Sequence, residues 1–169
     1  MTVRAVVCYP DQRLKTVCDA VGGSGPLDAA AQQVAQDLLD TMNAHAGCVG
    51  LAAPQIGELV RMVAIDVTGH KRAKSCHGRL VLIDPEIVAR SGNVSMREGC
   101  LSIPDFTGNV RRPGKVTIQA RGIDGEPLEI ACDSFEARVV LHEIDHLDGL
   151  LFLDRVNKAS DVFPRKKYQ

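Results

Sequence analysis

The stretch VVLHEIDHLDG, residues 139–149, sets His142 and His146 four positions apart, with Glu143 directly after the first histidine. Four residues is about one helical turn, so on a helix both imidazoles leave the same face and can share one metal ion. Glu143 points beside such a site, where a carboxylate can take a proton from water activated by the ion. The competing reading is an ordinary helix whose histidines are hydrogen-bonded in the core. Phe135, Val139, Val140, Ile144 and Leu147 place apolar residues all round this segment, so the helix is expected to be buried. Burying three polar groups in it costs free energy unless something satisfies them, and a metal would.

A catalytic ion of this kind commonly has three protein ligands and one open position. In the pattern H-E-x-x-H-x-x-G-x-x-H the glycine is present as Gly149, but Phe152 stands where the last histidine would be. No His, Glu or Cys follows His146, which leaves only Asp148, Asp154 and Asp161 as weak downstream candidates. Upstream, Cys100 lies in REGCLSIPDF, where Glu98-Gly99 and Ser102–Pro104 suggest a turn leading into an extended segment that could present a thiolate. Cys132, Cys48 and Cys76 remain alternatives on spacing alone.

Other elements must hold these groups. After GGSGPLD (22–28), Val34, Leu38 and Met42 recur at helical spacing, predicting a first helix that stops near Gly47. LVRMVAIDV (59–67) and RLVLIDP (79–85) are short, aliphatic and β-branched, and predict strands. Between them TGHKRAKSCHGR reads as a solvated loop, although His70, Cys76 and His77 carry metal-binding side chains. KVTIQARGIDGEPLEIA (115–131) predicts a hairpin around Asp124-Gly125, a dipeptide favoured where both turn residues have positive φ. The second helix is expected to begin with Asp133 as N-cap and Glu136 reaching back as a capping box, and to end at Gly149. Strands ahead of a C-terminal helix predict an α+β fold: mostly antiparallel sheets around a buried metal-binding helix, with one N-terminal helix.

Composition narrows the function. The chain has 169 residues, a length that fits one domain over 1–169, and a formal net charge of -1 with 24% charged residues, which gives no basic surface for nucleic acid. The first residues lack the apolar run of a signal peptide and no later run approaches a membrane span, so a cytoplasmic protein is expected. The six cysteines have no CxxC pairs or regular spacing, and without a secretion signal they are expected to be reduced.

Three blocks in order, CVGLAAPQIG (48–57), EGCLSIP (98–104) and HEIDH (142–146), resemble those of peptide deformylases, with softer matches at YPDQRL (9–14), VLIDPEI (81–87) and HLDGLLFLDR (146–155). The resemblance implies removal of the formyl group from the N-terminal formyl-methionine of nascent proteins. It also implies Cys100, His142 and His146 as metal ligands, Glu143 as the acid/base, and the Gln55 side chain and Leu101 N–H as donors to the developing oxyanion. Val49, Leu101, Phe135 and Val139 would line a methionine pocket, and Gly50, Ala52 and Ala53 would leave backbone open to an extended peptide. The implied ion is iron(II), with zinc, nickel or cobalt as substitutes. Implied partners are N-formyl-methionyl peptides and nascent chains, with transient ribosome association, whereas Arg165, Lys166 and Lys167 read as a solvated tail. Cys48, where the family often has Gly, and Leu141, often Gln, depart from the pattern without removing a ligand. The rival readings are a metalloenzyme of the same architecture acting on another small amide, and a domain whose metal is structural.

Overall fold

The computed structural model describes residues 2–166. Helix α1 spans Ala29–Ala44, where the Val34, Leu38, Met42 stripe placed it; Asp28 caps its start by accepting from the Ala31 N–H at 2.8 Å, and Leu38 and Met42 are buried. It packs on strands β1 (Gly50–Ala52) and β2 (Met62–Ile65). With β3 (Leu80–Ser91), β6 (Lys115–Arg121) and β7 (Pro127–Asp133) these form an antiparallel sheet ordered β1-β2-β3-β6-β7. A second antiparallel sheet holds β4 (Val94–Cys100), β5 (Ile103–Arg112) and β8 (Val162–Pro164) in that order. The architecture is the expected α+β arrangement, with helix α2 (Ser134–Leu147) buried along nearly its whole length.

Three local details differ from the sequence reading. Glu98 and Gly99 do not form a turn; they sit in β4, and the reversal is Leu101-Ser102, closed by the Cys100–Ile103 pairing after a register shift. The β6–β7 connection is longer than a two-residue turn: Gly125 N–H donates to Gly122 C=O and Gly122 N–H to Glu126 C=O, with positive φ at Gly125 but not at Asp124. This is a three-residue loop closed by a glycine bulge. A side chain at residue 125 would also collide with the Gly25 carbonyl.

The third difference is at the start of α2. Asp133 is the N-cap residue but its side chain caps nothing in the helix; Asp133 Oδ1 accepts from Ser75 N–H at 3.2 Å, and Glu136 accepts from Ser75 Oγ, His77 N–H and His77 Nδ1 at 2.6–2.9 Å. The loop between β2 and β3 has taken the carboxylates that local pattern assigned to a capping box. At the other end the expectation holds. Gly149 (φ 71°) donates to His146 C=O and Leu150 to Asp145 C=O, the paired bonds of a left-handed helix stop.

The leading segment ties these parts together. Val7 N–H donates to Gln55 C=O at 2.8 Å, Tyr9 N–H to Ser102 C=O at 2.9 Å, and Cys18 N–H to Leu147 C=O at 2.8 Å. No helix among the described residues is long and apolar enough to cross a membrane.

Candidate metal centre and substrate cleft

Helix α2 carries His142 and His146 on the face turned toward the end of β4, where Cys100 stands just before the Leu101-Ser102 reversal. Cys100 Sγ lies 3.3 Å from His146 Nε2, and one donor atom from each of Cys100, His142 and His146 falls within 4.8 Å of the others. Of the cysteines left open by spacing, Cys100 is the one that joins both histidines. Burial pushes its thiol up, but His146 and His142 together outweigh this and hold it well below the ordinary thiol value. A thiolate beside two imidazoles, all buried and mutually close, is a donor set that fits a divalent transition-metal ion.

A carboxylate fixes the first histidine. Glu98 Oε2 sits 2.9 Å from His142 Nδ1, so the other ring nitrogen is left for the centre. Burial raises Glu98, yet His142 and Arg112 overcome it and hold the carboxyl well below the usual range. Arg112 donates to both Glu98 oxygens at 2.7 and 3.0 Å and to Asp145 at 2.7 Å, while Arg138 donates to Glu98 and to the Val94 and Val110 carbonyls. Glu98 lies inside the EGCLSIP block, and the sequence pattern contains a hint of its part. Residues two apart on a strand share a face, and residues four apart on a helix do too, so Glu98 accompanies Cys100 as Arg138 accompanies His142.

Glu143 is buried against β1, its Oε2 without a hydrogen-bond partner among the described residues, and burial pushes its carboxyl up to about 7. Gln55 is held from two sides. Its Oε1 accepts from Ala52 N–H at 2.9 Å, while Nε2 lies 3.1 Å from Ser102 Oγ and 3.3 Å from Cys100 Sγ. The amide therefore projects its N–H group into the centre. Leu101 follows Cys100 at the reversal and lines the same space.

These groups open on a cleft of about 270 Å³ lined in part by Val49, Gly50, Gln55, Leu101, Phe135, Val139, His142 and Glu143. The four residues expected to line the methionine pocket, Val49, Leu101, Phe135 and Val139, are thus on its wall, and so is Gly50. Ala52 and Ala53 are fully buried instead, because β1 pairs with β2 there and Ala53 begins a short helical turn; Gly50 is the part of this wall that faces the cleft. Cys48 also lines it, its Sγ 3.2 Å from Gly50 C=O, and burial together with Glu143 pushes the thiol up to about 12. Leu141 is buried in the core on another part of α2.

The loop at 68–79 is more structured than a solvated connection. His70 stacks on Phe135 with ring centroids 3.8 Å apart, so the loop backs one wall of the cleft. His77, Cys132 and Glu136 form another group with donor atoms within 4.8 Å, but the Glu136 carboxylate is already met by Ser75 and His77. The C-terminal reading also needs correction: Arg165 follows β8 and lines the cleft, since β8 pairs with β5 and its backbone is anchored to Asp105 C=O at 2.7 Å. Lys166 is exposed, and Lys167 lies outside the described residues.

Comparison with known proteins points the same way. Residues 3–162 match the family model described as polypeptide deformylase. A peptide deformylase of Syntrophobacter fumaroxidans is 36% identical, over 98% of this chain and 94% of that protein. The crystal structure of a peptide deformylase from Legionella pneumophila superposes with a TM-score of 0.82 at 38% identity, covering 92% of this chain and 87% of the other. A class I type b enzyme from Acinetobacter baumannii, solved with Met-Ala-Ser bound, gives 0.82 at 31% identity over 92% and 99% of the two chains. By these matches, which run nearly end to end, the chain belongs to the polypeptide deformylase family.

Proposed function

We propose that this chain hydrolyses the formamide of N-formyl-methionyl peptides at the centre formed by Cys100, His142 and His146, with one divalent ion per chain. The observation that carries the reading is the approach of Cys100 Sγ to His146 Nε2 at 3.3 Å on the wall that also holds Glu143 and Gln55. The bound ion would supply Lewis acidity, polarising the formyl oxygen and making water a better nucleophile near neutral pH. The set of one thiolate and two imidazoles suits iron(II) or zinc; we assign iron(II) as the working ion, with zinc, nickel or cobalt able to replace it.

The side chains divide the remaining work. Glu143 accepts the proton released as water adds to the formyl carbon, and returns it to the departing amine as the C–N bond breaks, giving formate and a free N-terminus. As the carbonyl oxygen takes on negative charge, the Gln55 amide N–H and the Leu101 backbone N–H donate to it, each such donor contributing about 3 kcal/mol in the transition state. The methionine side chain occupies the apolar wall of Val49, Phe135 and Val139. The peptide main chain lies along Gly50 on β1, an edge strand of its sheet, in the manner of an added strand. The Met-Ala-Ser bound to the Acinetobacter enzyme supports a peptide of this length. We extend the proposal to nascent chains met in the cytoplasm during transient association with the ribosome.

Formate release from formyl-Met-Ala-Ser by the metal-loaded protein tests the proposal, with unformylated Met-Ala-Ser as control. Formate from the first alone is expected, and Glu143→Gln should abolish it while the ion stays bound. A fully metal-loaded protein that releases none overturns the reading.

A further inference from the structure

Arg97 and Arg165 line both the cleft and a neighbouring depression, in which Lys166 joins them beside Phe163 and Thr107. Arg97 lies over the Phe163 ring, 3.5 Å from its centroid, with Nε donating to Asn109 at 3.0 Å and Nη1 to Thr107 at 3.3 Å. Arg165 is anchored through its backbone, and its Nη2 reaches to 3.5 Å from Cys100 C=O. Gly99 leaves room for this placement, since an added Cβ would meet the Arg165 guanidinium and make it shift. Two elements from distant parts of the chain therefore place two cations at one rim.

Within the described residues, neither cation has a carboxylate partner; Glu98, next in the chain to Arg97, is enclosed by Arg112, Arg138 and His142. Glu143 is buried at the back of the cleft. Arg138 also lines the cleft, but its charge is engaged by Glu98. The rim thus presents two guanidinium groups, although the whole chain carries a formal charge of -1.

We propose that Arg97 and Arg165 form an anion subsite for a carboxylate on the second residue after the formyl-bearing methionine. The inference rests on the deformylase reading, which places the formyl carbon beside Cys100. Arg165 Nη2 is beside Cys100 C=O and Arg97 is three residues back along β4; an extended peptide advances about 3.3 Å per residue, so one running outward from Cys100 crosses this rim within about one to three residues. A guanidinium presents paired N–H donors matched to a carboxylate, and a cationic rim repels a lysine at the same place. The enzyme thus selects among formyl-peptides by charge downstream of the methionine, an effect expressed in KM because the charged side chain is remote from the formyl carbon that reacts.

C-terminally amidated formyl-Met-Ala-Glu, formyl-Met-Ala-Ser and formyl-Met-Ala-Lys test this, the amide removing the terminal carboxylate that would otherwise occupy the rim. The Glu peptide should exceed the Lys peptide in kcat/KM by about fivefold at low ionic strength, carried by KM, and the ratio should shrink in about 0.5 M salt. Arg165→Glu should invert the ratio and Arg97→Gln reduce it; each ratio is taken within one protein, so a general loss of active enzyme cancels. Equal rates for the Glu and Lys peptides in the unaltered enzyme, or a ratio that survives Arg165→Glu, overturn the subsite. Inhibition by a single-stranded RNA with no charge preference among peptides would assign the rim to RNA phosphates and likewise overturn it. Absence of formate from the Ser peptide would instead be a failure of the deformylase reading.

Discussion

Gly50 and Glu143 touch with no space for a side chain between them: a Cβ at residue 50 would lie 2.6 Å from Glu143 Oε1 and 2.8 Å from Val139 Cγ1. The glycine is required by this approach, since its φ is not in the left-handed region. Gly50→Ala should push the carboxylate off its position and lower kcat by on the order of 10- to 100-fold, as misplacement by about an ångström does elsewhere. Bound metal should be unchanged, because the three atoms nearest that Cβ belong to Glu143 and Val139 and not to a ligand side chain. Formate kinetics beside elemental analysis would show it, and normal turnover would mean Glu143 does not need this contact.

Chelation should lower thermal stability as well as activity. An ion that binds only the folded chain adds about 2.7 kcal/mol at a hundred times its dissociation constant, which for a chain of this size is roughly 5–10 °C in Tm. Calorimetry before and after treatment with a chelator, and again after nickel is returned, measures the shift. Cys100→Ala should show no such response, having lost a ligand.

Replacing Glu98 by alanine would strip the carboxylate from two buried guanidinium groups and from His142. Breaking one partner out of a buried ionic cluster costs about 3–5 kcal/mol. The urea midpoint should fall accordingly. Glu98→Gln, which keeps an acceptor toward His142, should lose less stability while weakening metal binding by about 10- to 100-fold.

Thiol chemistry should sort the cysteines. Cys8 and Cys76 are exposed; burial pushes Cys18 up to about 11, and Cys48 and Cys132 up to about 12. Since the thiolate is the reactive form, alkylation of the metal-loaded protein near neutral pH, with Cys100 held by the ion, should modify Cys8 and Cys76 before Cys18, Cys48 and Cys132. Cys48, which lines the cleft, should react faster as pH rises toward its own value. Peptide mapping after timed labelling reads the order, and rapid neutral labelling of Cys48 would contradict it.

Glu136 should act as a pin for the 68–79 loop. Burial raises its carboxyl, but Ser75 and His77 outweigh this and leave it below its ordinary 4.5. A carboxyl lowered by folding stabilises the fold fully above its unfolded value, and that contribution disappears as pH falls through the folded value. At neutral pH the pin is therefore complete, and Glu136→Gln should loosen it. Lys71, Arg72 and Lys74 make the loop a trypsin substrate once it opens, so limited digestion should cut the variant there several times faster than the parent.

Helix α1, the β6–β7 hairpin and the metal helix could be read from periodicity and turn residues, because in them local preference and tertiary packing agree. The β4–β5 pair was not legible. Its buried side includes Glu98 and Arg112, which break the apolar alternation that announces a strand, and the register shift before Cys100 breaks the period again. The capping box at Asp133 failed for a related reason: a partner 58 residues away, Ser75, competes for the same carboxylate, and nothing near Asp133 reveals it. For the centre, helical spacing identified two donors and the adjacent carboxylate, whereas Cys100 stood among several cysteines until resemblance singled it out. A helix brings residues together by local geometry, but a ligand from another sheet arrives through the whole topology.

The bonds from Val7 to Gln55 and from Tyr9 to Ser102 make the leading segment a strap across both banks of the cleft. A change that slackens the strap, such as a bulky fusion or a proteolytic nick upstream of Asp11, would let the banks drift apart while every reacting group kept its identity. Such a lesion would register as poorer discrimination among peptides before it registered as a lost ion.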